Sequence, residues 1–298
     1  LTQIARVFAR HNQMADIAGP GAAPRRLRLH RRFRDLACGD LVELDATGDE
    51  VARQLDRNNV LVRRDGFGRR KVIAANIDCV WIVIAPEPAP SRNLIDRFLV
   101  AILNLPARPR LLINKQDEGP AARPEWLDAY RQLDLDPLFV SAKSGFGLDD
   151  LAAAAAGQTN ILVGQSGVGK SSLVAALLEQ YGIVDAIAPT TGDLAASGEG
   201  RHTTVTAQWF PLANGGAWID SPGVRDFTPE IPSLDTLERG FPDIAERGDQ
   251  CRFRDCRHQS EPGCAVLAAI EAGELPAARL QAWHALAAEI PAQNRARG

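Results

Sequence analysis

Apolar positions along the chain change their period twice. Over residues 1–75 they fall in short alternating runs, at Gln3–Phe8, Leu27–Leu29, Asp40–Leu44, Val60–Arg63 and Lys71–Ala74. Period two over so few residues is the pattern of half-buried strands. Gly19-Pro20-Gly21, Thr47-Gly48-Asp49 and Asp65-Gly66-Phe67-Gly68 separate the runs with turn residues. About five short strands in this length suit a small closed all-β barrel of the OB-fold kind.

After Asn76 the pattern alternates between strand and helix. Cys79–Ala85 is a continuous apolar strand, Asn93–Leu105 has helical periodicity, and Arg110–Ile113 is again a strand. A helix over Glu125–Leu133, a strand over Leu138–Val140 and a helix over Leu148–Ala156, stopped by Gly157, follow. Asn160–Val163 reads as a strand, Lys170–Gln180 as a helix, and Gln208–Pro211 and Gly216–Ile219 as two more strands. This alternation predicts an α/β unit, a mostly parallel sheet with helices on both faces, ending near Pro232. From Ser233 onward the chain reads as helical, with Val266–Glu271 and Pro276–Glu289 amphipathic, except for one loop rich in Cys and His. The expected organisation is therefore 1–75, 76–232 and 233–298.

Charge distinguishes the first unit from the rest. Residues 1–75 hold 15 Lys and Arg against 9 Asp and Glu, while the remainder holds 19 against 28. A basic module on an acidic body is suited to a polyanion. No apolar run is long enough to span a membrane, and residues 1–10 lack the core of an export signal. We therefore expect a cytoplasmic protein with no membrane partner, and a monomer. The chain begins at Leu1 rather than Met, which leads us to expect further residues before it.

Chemistry concentrates in the second unit. Gly164-Gln165-Ser166-Gly167-Val168-Gly169-Lys170-Ser171-Ser172 fits a P-loop, lying between a predicted strand and a predicted helix. Its glycines let backbone N–H groups turn toward a β-phosphate, and the helix N-terminus adds partial positive charge. Lys170 would reach the β- and γ-phosphates, and the Ser171 hydroxyl would ligate Mg²⁺. Asp220-Ser221-Pro222-Gly223 follows a predicted strand; Asp220 would hold Mg²⁺ through water and the Gly223 N–H would approach the γ-phosphate. Between them, Thr203 or Thr204 of Gly200-Arg201-His202-Thr203-Thr204 could offer a hydroxyl to Mg²⁺.

Two further loops specify the base. Asn114-Lys115-Gln116-Asp117 ends the predicted strand at Ile113, and the Asp117 carboxylate can accept both guanine N1–H and the 2-amino group. Adenine lacks these donors, so an ATP reading is disfavoured. Asn114 would fix the loop and the Lys115 stem would cover the base. Ser141-Ala142-Lys143 ends the next strand, where the Ala142 N–H can donate to guanine O6 and Lys143 can cover the other face. All these loops fall at the carboxyl edge of one sheet, where such sheets bind ligands. The order is unusual, because the base loops precede the P-loop. The sheet of a small GTPase with its old ends joined through Leu148–Asn160 would give this order, and the segment after Asp220 would then lead straight into the C-terminal unit.

Cys251-x₄-Cys256-x-His258-x₅-Cys264 supplies three thiolates and an imidazole within 14 residues. This is a tetrahedral Zn²⁺ set with no open position, and so a structural site. Arg252, Arg254 and Arg257 make the loop basic. Cys38 and Cys79 stand alone and read as small core residues.

Together the basic barrel, the permuted order, Gly-x-His-Thr-Thr, Asp-Ser-Pro-Gly-Val-Arg at 220–225 and the Cys/His spacing resemble the RsgA, or YjeQ, family of circularly permuted GTPases. The resemblance covers nearly the whole chain. It implies an RNA-binding OB-fold at 1–75, a permuted GTPase domain at 76–232 and a zinc-binding helical domain at 233–298. It also implies one structural Zn²⁺, Mg²⁺ with GTP, and assistance to late maturation of the bacterial small ribosomal subunit through its rRNA. Slow intrinsic hydrolysis to GDP, stimulated by that subunit, is part of the same expectation. Val224 stands where many GTPases place a water-orienting Gln, which agrees with slow hydrolysis. His202 is the nearest replacement, and the resemblance favours it as the catalytic group. Gly167 occupies the P-loop position at which some GTPases hold K⁺ with Asn, so K⁺ dependence is not expected. Action on another RNA or protein partner, or a nucleotide-gated RNA-binding module, are the alternatives.

Overall fold

The computed structural model describes residues 3–64, 70–90, 93–117, 125–182, 207–220 and 231–295. Its first part is all-β: β1 (Gln3–His11), β2 (Met14–Ala18), β3 (Arg25–Arg28), β4 (Leu41–Leu44), β5 (Val51–Gln54), β6 (Val60–Arg64) and β7 (Arg70–Ala75). β1 is shared between β2 and β4, giving the order β3-β2-β1-β4-β5, with β6 and β7 as a separate hairpin. Alternation along the strands puts Val7, Ala15, Ile17, Leu27, Val42, Leu44 and Val51 into one core. Two of these strands, β2 and β5, lie outside the runs expected from sequence. Met14-Ala15-Asp16-Ile17-Ala18 is short and rich in alanine, Val51-Ala52-Arg53-Gln54 is half polar, and pairing with β1 and β4 makes them strands.

The second part is a doubly covered sheet. β8 (Cys79–Ile84), β9 (Arg108–Ile113), β10 (Leu138–Phe139), β11 (Thr159–Val163), β12 (Gln208–Pro211) and β13 (Ala217–Asp220) run in the order β10-β9-β8-β11-β13-β12, all parallel except β12. β8 and β11 are buried along their whole length, as central parallel strands must be. Val80, Ile82, Ile84, Ile161, Val163 and Ile219 face α1 (Leu94–Leu103), while Trp81, Val83, Leu162 and Trp218 face α2 (Leu148–Ala154) and α3 (Lys170–Tyr181). Glu125–Leu133 winds as a 3-10 helix. Most ends shift by one or two residues from the expected bounds; α2 stops two residues early, β9 starts two residues sooner, and β13 runs on to include Asp220.

The join between α2 and β11 is held by a buried amide. Asn160 donates to the Ala155, Gln158 and Ala217 carbonyls at 3.0, 2.8 and 3.2 Å and accepts from the Trp81 indole at 2.9 Å. Both its amide nitrogen and its amide oxygen thereby have buried partners. This short, hydrogen-bonded turn connects base loops and P-loop in the permuted order.

The last part contains α4 (Leu234–Arg239), α5 (Pro242–Gly248), α6 (Ala265–Glu271) and α7 (Ala277–Arg295) around a core of Phe241, Ile244, Val266, Trp283 and Leu286. α1 belongs to two cores: Ile95, Phe98, Leu99 and Ile102 face the sheet, and Val100 joins the C-terminal cluster. Arg279 of α7, only 1% exposed, locks this contact. Its guanidinium forms a fork on Asp243 at 2.7 and 2.9 Å, donates to Asp96 of α1, and lies 4.3 Å from the Phe241 ring centroid. Tyr130 donates to the other Asp96 oxygen at 2.9 Å. Among the described residues, no helix is long and apolar enough to cross a membrane.

Candidate nucleotide site and zinc knuckle

The P-loop bends as its glycines require. At Gly164 (φ 146°) a Cβ would lie 2.3 Å from the Val83 carbonyl oxygen, and at Gly169 (φ 90°) one would lie 2.4 Å from Asn114 Nδ2. Neither position admits a side chain. The Lys170 ammonium, on the first residue of α3, donates to the Gly164 and Gln165 carbonyls at 2.7 and 2.8 Å, and so sits beneath the loop it opens. Ser166 and Gly167 are exposed at its crest, Val168 is buried below, and Ser171 and Ser172 continue α3.

Asn114 joins three loops. Its side chain is buried; Nδ2 donates to the Val168 carbonyl at 2.8 Å, and Oδ1 accepts from the Ala142 N–H at 3.3 Å. One amide thus sets the separation of the base loop, the P-loop and the Ser-Ala-Lys loop. Gln116, also buried, donates to the Asn114 carbonyl at 3.3 Å, and its own N–H meets the Val140 carbonyl. Ser141 donates to Asp117 at 2.5 Å while accepting from the N–H groups of Lys143 and Ser144 at 3.2 and 3.0 Å. The Lys143 ammonium lies 3.5 Å from the other Asp117 oxygen. The Ser141 hydrogen bond and then Lys143 hold the Asp117 carboxyl below the usual range, so it remains an acceptor at neutral pH.

One wall of this site was not legible in the sequence. The connection from β8 to α1 passes over the P-loop: Gln165 donates to the Pro88 and Ala89 carbonyls, both at 2.8 Å, and Lys115 donates to the Glu87 carbonyl at 2.6 Å. The sequence signal is Pro86-Glu87-Pro88-Ala89-Pro90, whose alternate prolines stiffen a connection. The Ile161↔Ile219 register brings Asp220, the last residue of β13, alongside Leu162, two residues before Gly164. His202, Thr203, Thr204 and Gly223 lie outside the described residues.

The four candidate zinc ligands converge. Cys251, Cys256, His258 and Cys264 bring their ligand atoms within 4.8 Å of one another. The Cys251 and Cys264 sulfurs are 3.9 Å apart, and His258 Nδ1 lies 3.7 and 3.4 Å from them. A tetrahedral ion with bonds of about 2.3 Å to sulfur spaces its ligands about 3.8 Å apart, so the set fits Zn²⁺. Burial raises the Cys251 thiol, but N–H groups of Ala265 and Val266 and the adjoining thiols outweigh it and bring it below the ordinary value. Cys264 caps α6, its sulfur accepting from the Leu267 N–H at 3.5 Å, so a ligand also starts a helix. The His258 ring stacks edge-on to Trp283 of α7. Cys38 and Cys79 are buried away from this cluster, as expected.

Comparison with known proteins agrees with this arrangement. A profile of the RsgA GTPase family matches residues 54–230, more than half of the chain. A Pseudomonas aeruginosa protein called small ribosomal subunit biogenesis GTPase RsgA is 38% identical, over 97% of this chain and 86% of that protein. A Pseudomonas fluorescens protein of the same name is 43% identical over 81% of this chain and 70% of its own length. Among solved structures, YjeQ from Thermotoga maritima superposes with a TM-score of 0.73 at 28% identity, covering 97% of this chain and 99% of that one. YloQ, described as a circularly permuted GTPase, gives 0.70 at 24% identity over 98% and 96%, a likeness of fold. The chain therefore belongs to the RsgA GTPase family and is a circularly permuted enzyme that hydrolyses GTP.

Proposed function

We propose that this GTPase binds the small ribosomal subunit and assists its late maturation, hydrolysing GTP to GDP and phosphate with stimulation by the subunit. The supporting observation is the single amide of Asn114, which ties base loop, P-loop and Ser-Ala-Lys loop into one nucleotide cradle, in a chain whose relatives are named for small-subunit biogenesis. In this reading residues 1–75 and 233–298 are the RNA-facing units and 76–232 the nucleotide domain. The charge excess of the first unit and the arginines beside the zinc ligands favour a phosphate backbone as their counterpart.

Asp117 accepts from guanine N1–H and the 2-amino group, the Ala142 N–H turns from its 3.3 Å contact with Asn114 Oδ1 toward O6, and the Lys115 and Lys143 stems cover the two faces of the base. The N–H groups of Gly164 to Ser172 surround the β-phosphate, and Lys170 moves its ammonium from loop carbonyls to the β- and γ-oxygens, which carry more charge. Ser171 and Asp220 would hold Mg²⁺, together with Thr203 or Thr204; when bound, the ion neutralises charge developing on the phosphates. The Gly223 N–H meets the γ-phosphate, and His202 acts on the attacking water where Val224 cannot. Cys251, Cys256, His258 and Cys264 would hold one structural Zn²⁺ that organises the C-terminal core.

The test is GTP turnover by the full chain alone, with small subunits and with large subunits. Stimulation by small subunits alone is expected. Equal turnover in all three would remove the ribosomal reading, leave the GTPase standing, and direct the search to another RNA or protein.

A further inference from the structure

The barrel and the GTPase sheet are one hydrogen-bonded surface, because β1 pairs with the edge strand β12 through Ala9↔Gln208. Gln208 is in turn the cross-strand partner of Asp220. Asp220 is thus two strand spacings, about 10 Å, from the barrel backbone. β1 bulges between Val7 and Ala9, which re-aims the intervening Phe8. Phe8 meets Trp209 edge-to-face, with centroids 4.7 Å apart. The Arg6 guanidinium lies 5.2 Å from the Trp209 ring centroid and is anchored to the barrel by a 3.1 Å bond to the Gly39 carbonyl. Beside this clasp is a cavity of about 610 Å³, lined by Arg6, Phe8, Asp78, Thr159 and Trp209 among others. The Trp209 indole N–H is buried without a hydrogen-bond partner among the described residues. β12 pairs along its length with β13, and on its barrel side the described contacts are this bridge and this clasped ring, next to open space.

We infer that the barrel is a positioning element for the magnesium corner: Phe8 and Arg6, by clasping Trp209, hold β12 and with it the end of β13 that carries Asp220. The inference rests on the reading of Asp220 as a magnesium carboxylate. It makes Phe8 and Arg6 positioning residues that never touch nucleotide, and it makes any partner that seats the barrel a modulator of metal affinity.

The full-length protein is loaded with fluorescent GDP, and nucleotide release is followed across a Mg²⁺ titration and in excess chelator. Phe8→Ala, and the gentler Arg6→Met which keeps the stem volume, are expected to raise the Mg²⁺ needed for half-maximal retention about threefold to tenfold. Affinity in chelator stays within about twofold of wild type, and Phe8→Tyr and Arg6→Lys behave as wild type. Asp220→Asn raises the Mg²⁺ requirement by itself, and Phe8→Ala adds nothing on that background. Normal Mg²⁺ titration of Phe8→Ala and Arg6→Met beside a shifted Asp220→Asn overturns the inference and leaves the magnesium reading intact. Equal weakening with and without Mg²⁺ overturns it as well, by reducing the clasp to general stability. No shift in Asp220→Asn removes the magnesium reading and the inference with it.

Discussion

Replacing Arg279 by Met should separate the C-terminal helices from the GTPase domain more effectively than any other single change at that contact. Methionine keeps much of the stem's volume but strands two buried carboxylates, Asp96 and Asp243, which are 3% and 6% exposed. Removing one member of a buried charge cluster costs about 3–5 kcal/mol. A ceiling on the cost at Asp96 comes from its own chemistry: taking up a proton at pH 7, from an ordinary value near 4, costs about 4 kcal/mol. Loss of the guanidinium from the faces of Phe241 and Tyr130 adds about 1 kcal/mol. Against a domain stability of about 5–15 kcal/mol, a loss of about 4 kcal/mol is large.

The sign of the pH dependence follows from the same groups. Burial already raises the Asp96 carboxyl above its ordinary value, against the pull of Arg279 and the Tyr130 hydroxyl. Without Arg279 it rises further. A group whose folded value exceeds its unfolded one binds more protons when folded, so stability falls as pH rises through that window. The deficit of Arg279→Met should therefore shrink as pH drops from about 7 to 5, and Asp96→Asn with Asp243→Asn should restore most of it. Urea unfolding followed through Trp283, which lies in the C-terminal core, reads the change. A deficit under about 1 kcal/mol, or one that does not vary with pH, would refute the argument that stranded charge is the cause.

Four further outcomes are expected. Gly169→Ala forces a Cβ to 2.4 Å from Asn114 Nδ2 at a left-handed φ, so guanine-nucleotide affinity should fall at least tenfold, about 1.4 kcal/mol, by equilibrium titration. Asp117→Asn should exchange preference for GTP for preference for XTP, because the amide donates to the 2-keto group. In the wild type, where the Asp117 carboxyl is depressed, GTP affinity should hold down to about pH 5 and weaken only as pH falls below the usual carboxylate range. Chelation of zinc should unfold α6 and its loop, since binding free energies of about 10–16 kcal/mol for such sites exceed what a small helical core supplies. Hydrogen exchange should rise across 251–271 while β8, β9 and β11 stay protected.

Much of the nucleotide site was legible because its chemistry is written in contiguous loops. Each of Gly164–Ser171, Asn114–Asp117 and Ser141–Lys143 needs a particular residue at a particular backbone position, and each follows a strand whose apolar run is itself legible. The candidate zinc ligands are close in sequence for the same reason, and the structure gathers all four. Illegible were the groups that set distances between loops. Gln165 reads as one variable P-loop residue until its amide meets the Pro88 and Ala89 carbonyls, more than 70 positions away. Asp96 reads as a polar position on an amphipathic helix, yet it is buried and paired with a residue 183 positions later. Strands β2 and β5 escaped notice because their pairing, not their composition, defines them.

The sequence by itself determined the α/β alternation, the permuted motif order, the candidate residues for guanine and phosphate and the candidate zinc set. Each depends on local backbone chemistry, on periodicity or on ligand type, all properties of short windows. Tertiary structure alone decided that Asn114 spans three loops, that α1 is shared by two cores through a buried arginine, and that the barrel reaches the sheet edge at Gln208. Those contacts join residues whose proximity exists only after the chain has closed, and burial then makes their few hydrogen bonds and charges worth more than their positions in the sequence suggest.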